Sequence, residues 1–231
     1  MWSPRGPFRV AVVACVERRR FGMCERILLV GNGSVDPCAI PRLDDFDRVI
    51  RFNDCRNFAS APGRTDVVAV CNTGRPARQM SASVAWRRHP AAAAAREIWS
   101  VRPPLLFAAA RARIVREHPD LTDLCDDYTD AFVAFCHATG KRHLTLDEEA
   151  HRAAAAALAR LAPGAYVTPS TGLIVIEHLL RHHREARIAL IGFDHSGWSG
   201  HPFAAERRLV DAYVRRGLLS RLQPVRREVS A

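Results

Sequence analysis

Short apolar runs and longer amphipathic stretches alternate along this chain. "RILLVGNG" (26–33) is an unbroken apolar run closed by two glycines, the form of a buried parallel strand that ends in a tight turn. Similar runs follow in "DRVIRFN" (47–53), "TDVVAVC" (65–71), "EIWSVRP" (97–103) and "ARIALIGF" (186–193). Three stretches between and after them have helical periodicity: "LDEEAHRAAAAALARLA" (146–162), "TGLIVIEHLLRHH" (171–183) and "PFAAERRLVDAYVRRGLL" (202–219). The first opens with acids and carries arginines further along, which complements a helix dipole. Strands alternating with helices predict a single α/β domain, Rossmann-like, with a mostly parallel sheet flanked by helices. The domain is expected over 23–231. Residues 1–22 read as an extension, from a misplaced start codon or as an added strand and arm, and no function is placed there.

Composition narrows the class. With 231 residues, 48% of them apolar, the chain can bury one sizeable core. No run reaches the roughly 18 apolar residues that cross a bilayer, and "FRVAVVACV" is followed by "ERRR" rather than a cleavage site. A cytoplasmic protein without a transmembrane segment is expected. Seven cysteines, an odd number with no C-x-x-C pair, indicate reduced thiols rather than a disulfide scaffold or zinc ribbon. The formal charge of +10 is nearly all arginine, since Lys141 is the only lysine. Arginines scattered without interleaved aromatics do not form a nucleic-acid footprint, whereas a basic protein suits an anionic small substrate.

Four places carry candidate chemistry. Asn32, between Gly31 and Gly33 at the end of the first strand, stands where open α/β sheets bind ligands; its amide suits a phosphate or ribose, and the glycines admit close backbone approach. The stretch is not G-x-G-x-x-G, so dinucleotide binding is not indicated. Asp45-Phe46-Asp47 has a D-x-D form able to hold a divalent metal but precedes a strand, where aspartates also make turns; Asn53 lies at that strand's far end. In "TPSTGLIVIEHLL" (168–180) the group Ser170, Thr171 and Gly172 opens a helix, which fits either ordinary capping or an anion at the helix N-terminus. In "HPFAAE" (201–206), a carboxylate from Glu206 steering His201 would make a general base. His178 and His182 are spaced i, i+4 with no third ligand evident from the sequence, and a solvated helix face is the plainer reading.

Taken in order, these stretches resemble the motifs of glycosyltransferase family 29, the sialyltransferases. "LLVGNG", "LDDFDRVIRFND" and "GRTD" are similar to its long motif, "PSTGLIVIEHLL…ALIGF" to its small motif, and "HPFAAERRLV" to its very small motif. The chain looks most like a short bacterial branch whose members carry the label of urease-operon accessory proteins. The resemblance implies a GT-A-like variant of the fold and a metal-independent, inverting transfer of a sialic-acid-like sugar from a CMP-sugar donor to a hydroxyl acceptor on a glycan or small molecule, with no cofactor. It assigns Gly31, Asn32, Gly33 and Asn53 to the cytidine ribose and phosphate, and Ser170, Thr171 and Gly172 to the phosphate. His201 becomes the base and Glu206 its support, with His195 set against a further histidine motif. Under this resemblance the acids of D-x-D are structural.

Departures accompany the likeness. Ile27 and the "EHLLRHH" helix stand where the family has a pair of disulfide-forming cysteines, and His195 and His201 are only six positions apart. The alternative reading is a non-catalytic, nucleotide-binding accessory protein associated with the urease operon. A further one is another Rossmann-like enzyme, such as a methyltransferase.

Overall fold

The computed structural model describes residues 24–36 and 40–222. Seven strands form one sheet: β1 (Arg26–Val30), β2 (Arg48–Phe52), β3 (Val67–Val70), β4 (Glu97–Ser100), β5 (Arg142–Thr145), β6 (Arg187–Ile191) and β7 (Leu219–Arg221). Every pairing is parallel, in the order β5-β4-β3-β2-β1-β6-β7. The chain therefore steps outward from β1 to β5, then returns to place β6 on the other side of β1. This is a Rossmann-like, doubly wound α/β fold with its topological switch between β1 and β6.

Continuous apolar runs are what such a sheet requires, because each strand is covered on both faces. Ile27 and Leu29 join one core cluster with Ile50, Phe52, Val67 and Ala69, while the alternating Leu28 and Val30 join another with Val49, Ala189 and Ile191. The first cluster is sealed by α6 (Glu148–Ala159), α7 (Thr171–His182) and α8 (Phe203–Arg215). Behind β3 and β4, Val68, Val70 and Ile98 pack on residues of α1 (Gly74–Ala82), α2 (Val84–Arg87), α3 (Pro90–Ala94) and α5 (Thr129–Thr139). A last helix, α4 (Pro104–Glu117), follows β4 and forms a small cluster of its own through Phe107 and Ile114.

The five strands and three helices expected from periodicity are present, with ends shifted by a few residues. The sequence reading missed β5 and β7 as well as five helices, α1 to α5. β5 is an edge strand of alternating exposed and half-buried residues, and β7 has three residues, so neither carries an apolar run. No helix among the described residues is long and apolar enough to cross a membrane. Cys24, Cys55, Cys71, Cys125 and Cys136 are free thiols. Cys15, Cys38 and the extension over 1–22 lie outside the described residues.

Candidate functional site

At the C-terminal ends of the strands lies a crevice of about 760 Å³, within the range of small-molecule sites. Gly31, Asn32, Gly33, Asn53, Ser170, Thr171, Gly172, His195, His201 and Glu206 all line it. The fold gathers the ten, yet their polar atoms are used unequally.

The two glycines after β1 serve the sheet. Gly31 N–H donates to the Ile191 carbonyl at 2.8 Å, and Gly33 N–H to that of Gly192 at 2.9 Å. A Cβ on Gly31 would lie 2.3 Å from the Gly192 carbonyl oxygen, and one on Gly33 would overlap the Asp194 carboxylate. The close approach they permit is to the segment after β6, where Gly192 itself has a φ of +71°. Asn32 is likewise occupied: Nδ2 donates to the Phe52 carbonyl at 3.0 Å and to Asp54 at 2.8 Å, and Oδ1 accepts from Arg56 N–H. It clips the loop after β2 to the end of β1. Asn53, in the left-handed region at φ +50°, accepts from Cys71 N–H through Oδ1 at 2.8 Å, which leaves its Nδ2 as a donor unused by the described residues.

The start of α7 is capped from within and from across the molecule. Ser170 Oγ accepts from Leu173 N–H at 3.2 Å in the usual N-cap manner. Glu206, only 1% exposed, takes the Ser170 N–H at 2.7 Å and the Ser170 hydroxyl at 2.6 Å. Burial raises the Glu206 pKa, opposed by these two hydrogen bonds. Ser170 therefore has no hydrogen left for a ligand. The N–H groups of Thr171 and Gly172, orphaned as first-turn donors always are, have no acceptor among the described residues. Both residues line the crevice.

The pairing of His201 with Glu206 does not occur. His201 Nδ1 donates to the Thr168 carbonyl at 2.8 Å, which fixes the neutral tautomer with its lone pair on Nε2. Burial pushes its pKa down to about 4; the Thr168 contact opposes this and the nearby Arg102 cation adds to it. His195, also in the left-handed region, accepts from Arg221 at 2.9 Å, since a guanidinium only donates. Its pKa falls to about 4 as well, through burial and then Arg221 and Arg207.

Sequence reasoning missed Arg102. It lies two residues beyond β4, where open sheets present ligand-binding groups, and the side chain is 3% exposed. The Asn72 side chain locks its backbone, accepting from the N–H at 2.7 Å and donating to the carbonyl at 2.8 Å. Nη1 donates to Thr73 Oγ1 at 2.7 Å, and the guanidinium sits 5.0 Å from the centre of the Phe107 ring. Nε is buried without a partner among the described residues. A permanent cation with one hydrogen bond from five N–H groups lines the crevice. "SVRPP" marks its place past a strand, but in a chain with one lysine among 34 basic residues an arginine is no signal by itself.

Asp45-Phe46-Asp47 lies elsewhere. It precedes β2, hence at the N-terminal edge of the sheet. Asp47 accepts from Arg26 N–H at 2.9 Å, and Phe46 is buried beneath the Arg26 guanidinium.

Fold and crevice define a doubly wound α/β protein with a crevice at its switch point that a buried arginine lines. No family model matches the chain. It is 48% identical over 200 residues, covering 86% of this chain and 93% of the relative, to the urease operon 23 kDa accessory protein of Rhizobium meliloti (strain 1021). The chain belongs to the family of that accessory protein. The relative overturns the expected activity, an inverting transfer of a sialic-acid-like sugar from a CMP-sugar, and with it the sugar donor and hydroxyl acceptor as partners. In physical terms, a histidine with a pKa near 4 and no carboxylate partner is a poor base at neutral pH.

Proposed function

We propose that this chain is a non-catalytic accessory protein of the urease operon that binds a phosphate-bearing small molecule, a nucleotide, in the crevice at its switch point. The observation that carries the reading is Arg102: a buried guanidinium with a single hydrogen bond, lining a crevice that Thr171 and Gly172, the first two residues of α7, also line. A helix start and a desolvated cation both favour a phosphate. The volume leaves room for a nucleoside beside it, with the Asn53 amide as a further donor. Ser170 and Glu206 are the frame of this pocket rather than its donors. His195 and His201 stay neutral and contribute ring nitrogens without adding charge. The relative's name supplies the accessory role.

The experiment is complementation. A strain lacking this chain is expected to lose a large part of its urease activity at unchanged urease abundance. The wild-type chain restores it and the folded Arg102→Met variant does not. Full activity in the deletion strain would overturn the accessory role; full rescue by Arg102→Met would overturn the part assigned to the crevice.

A further inference from the structure

Away from the crevice, the helix pair His178 and His182 meets a third group. On α7 the two rings are one turn apart, with centroids separated by 4.6 Å. Asp147, the N-cap of α6, reaches them across the α6–α7 interface: its Oδ1 accepts from Ala150 N–H at 2.9 Å, and its Oδ2 lies 3.1 Å from His182 Nε2. One ligand atom from each of the three residues lies within 4.8 Å of the others. None of the three lines the crevice.

We infer that Asp147, His178 and His182 form a binding site for one divalent first-row transition ion, of the Zn²⁺ or Ni²⁺ kind. Two imidazoles and one carboxylate are the donor set such ions prefer, whereas Mg²⁺ and Ca²⁺ take oxygen ligands. With metal–ligand bonds of about 2.0–2.2 Å, tetrahedral ligands stand about 3.3 Å apart, so the cluster closes on an ion by small rotations. Asp147 and His182 are exposed, so no packed core resists these rotations. Water would fill the remaining position.

One feature separates this cluster from a chance surface pair. His178 Nδ1 is buried and has no hydrogen-bond partner among the described residues, an arrangement that costs free energy until that nitrogen is bound. Charges around the cluster are mixed: Arg181 pairs with Glu149, His183 with Glu25, and Arg48 lies near Glu25. The cluster therefore meets no uniformly cationic surface.

Trp99 supplies a reporter, since its ring packs edge-on against His178 at 5.5 Å between centroids. The test uses the untagged chain carrying Cys24→Ser, which removes the one exposed thiol among the described residues. Zn²⁺ and Ni²⁺ are titrated by calorimetry, and quenching by Ni²⁺ of the Trp99 emission is followed with Trp99→Phe as the blank. One equivalent of Zn²⁺ or Ni²⁺ is expected to bind saturably, with no response to Mg²⁺ or Ca²⁺. Asp147→Asn keeps a good helix cap and His182→Asn is at the surface; each is expected to weaken binding at least tenfold with unchanged thermal stability. Absence of saturable binding up to about 100 µM, or binding that both variants retain in full, would overturn the site.

Discussion

Glu206 and Arg102 show how differently two buried charged residues can be used. Glu206 is consumed by the fold: both oxygens hold Ser170, and burial raises its pKa. Glu206→Ala would leave the half-buried Ser170 N–H and hydroxyl without their acceptor, at a cost of about 1–3 kcal/mol. That corresponds to a fall in Tm of roughly 3–10 °C for a domain of this size. Glu206→Gln keeps an acceptor for the N–H and lets the hydroxyl turn round to accept, so its Tm is expected to stay within about 2 °C of wild type. Scanning calorimetry on the two variants distinguishes a structural carboxyl from one needed as an anion. Arg102 has the opposite character, since its guanidinium makes one hydrogen bond to the protein. Arg102→Met is expected to leave Tm nearly unchanged and to weaken phosphate-ligand binding more than tenfold, in line with the ~1.5–3 kcal/mol of a charged hydrogen bond.

Elements were legible where their own residues carry the pattern. β1, β2, β3, β4 and β6 are covered on both faces and announce themselves as apolar runs. The ends β5 and β7 take their strand character from a neighbour's hydrogen bonds, and α4 and α5 carry only a weak stripe, so nothing local marked them. The site was legible as a place, because the residues past β1, β2 and β6 and at the start of α7 converge by topology. It was not legible as chemistry. Which of Asn32, Ser170 and Glu206 keeps a free polar atom depends on partners 20 to 36 positions away, and the partner of the histidine pair on α7 comes from another helix. The pinch between β1 and β6 gives a prediction at this scale. Gly31→Ala places a carbon 2.3 Å from the Gly192 carbonyl oxygen, backbone against backbone, and should destabilise by about 1–3 kcal/mol. Gly172→Ala meets only the edge of the Phe193 ring at 2.9 Å, which can turn aside. Urea denaturation should rank Gly31→Ala well below Gly172→Ala.

For the molecule as a whole, buried ionisable groups set the response to acid. His151, His195 and His201 each have a pKa lowered to about 4, burial being the first cause in all three. Between about pH 6.5 and 4 the unfolded chain takes up these protons and the folded chain does not. Their contribution is therefore complete above pH 6.5 and lost as pH falls toward 4, at up to ~1.4 kcal/mol per pH unit for each group. Glu177 and Glu206 have raised pKa values, again through burial first, and act in the opposite sense, their contribution growing as pH falls. Glu206→Gln removes one of the opposing groups, so its urea midpoint should fall more steeply than that of wild type from pH 7 to pH 5. Parallel curves would contradict this balance.

The switch-point crevice is proposed to bind a phosphate-bearing nucleotide through Arg102 and the start of α7. Calorimetric titration with CMP, without added metal and with cytidine as the control, tests it most directly. Saturable CMP binding is expected that cytidine lacks and that Arg102→Met weakens more than tenfold, with AMP and inorganic pyrophosphate in the same series reporting how much the base adds. No binding of any of these phosphates, or CMP binding untouched in Arg102→Met, would contradict it.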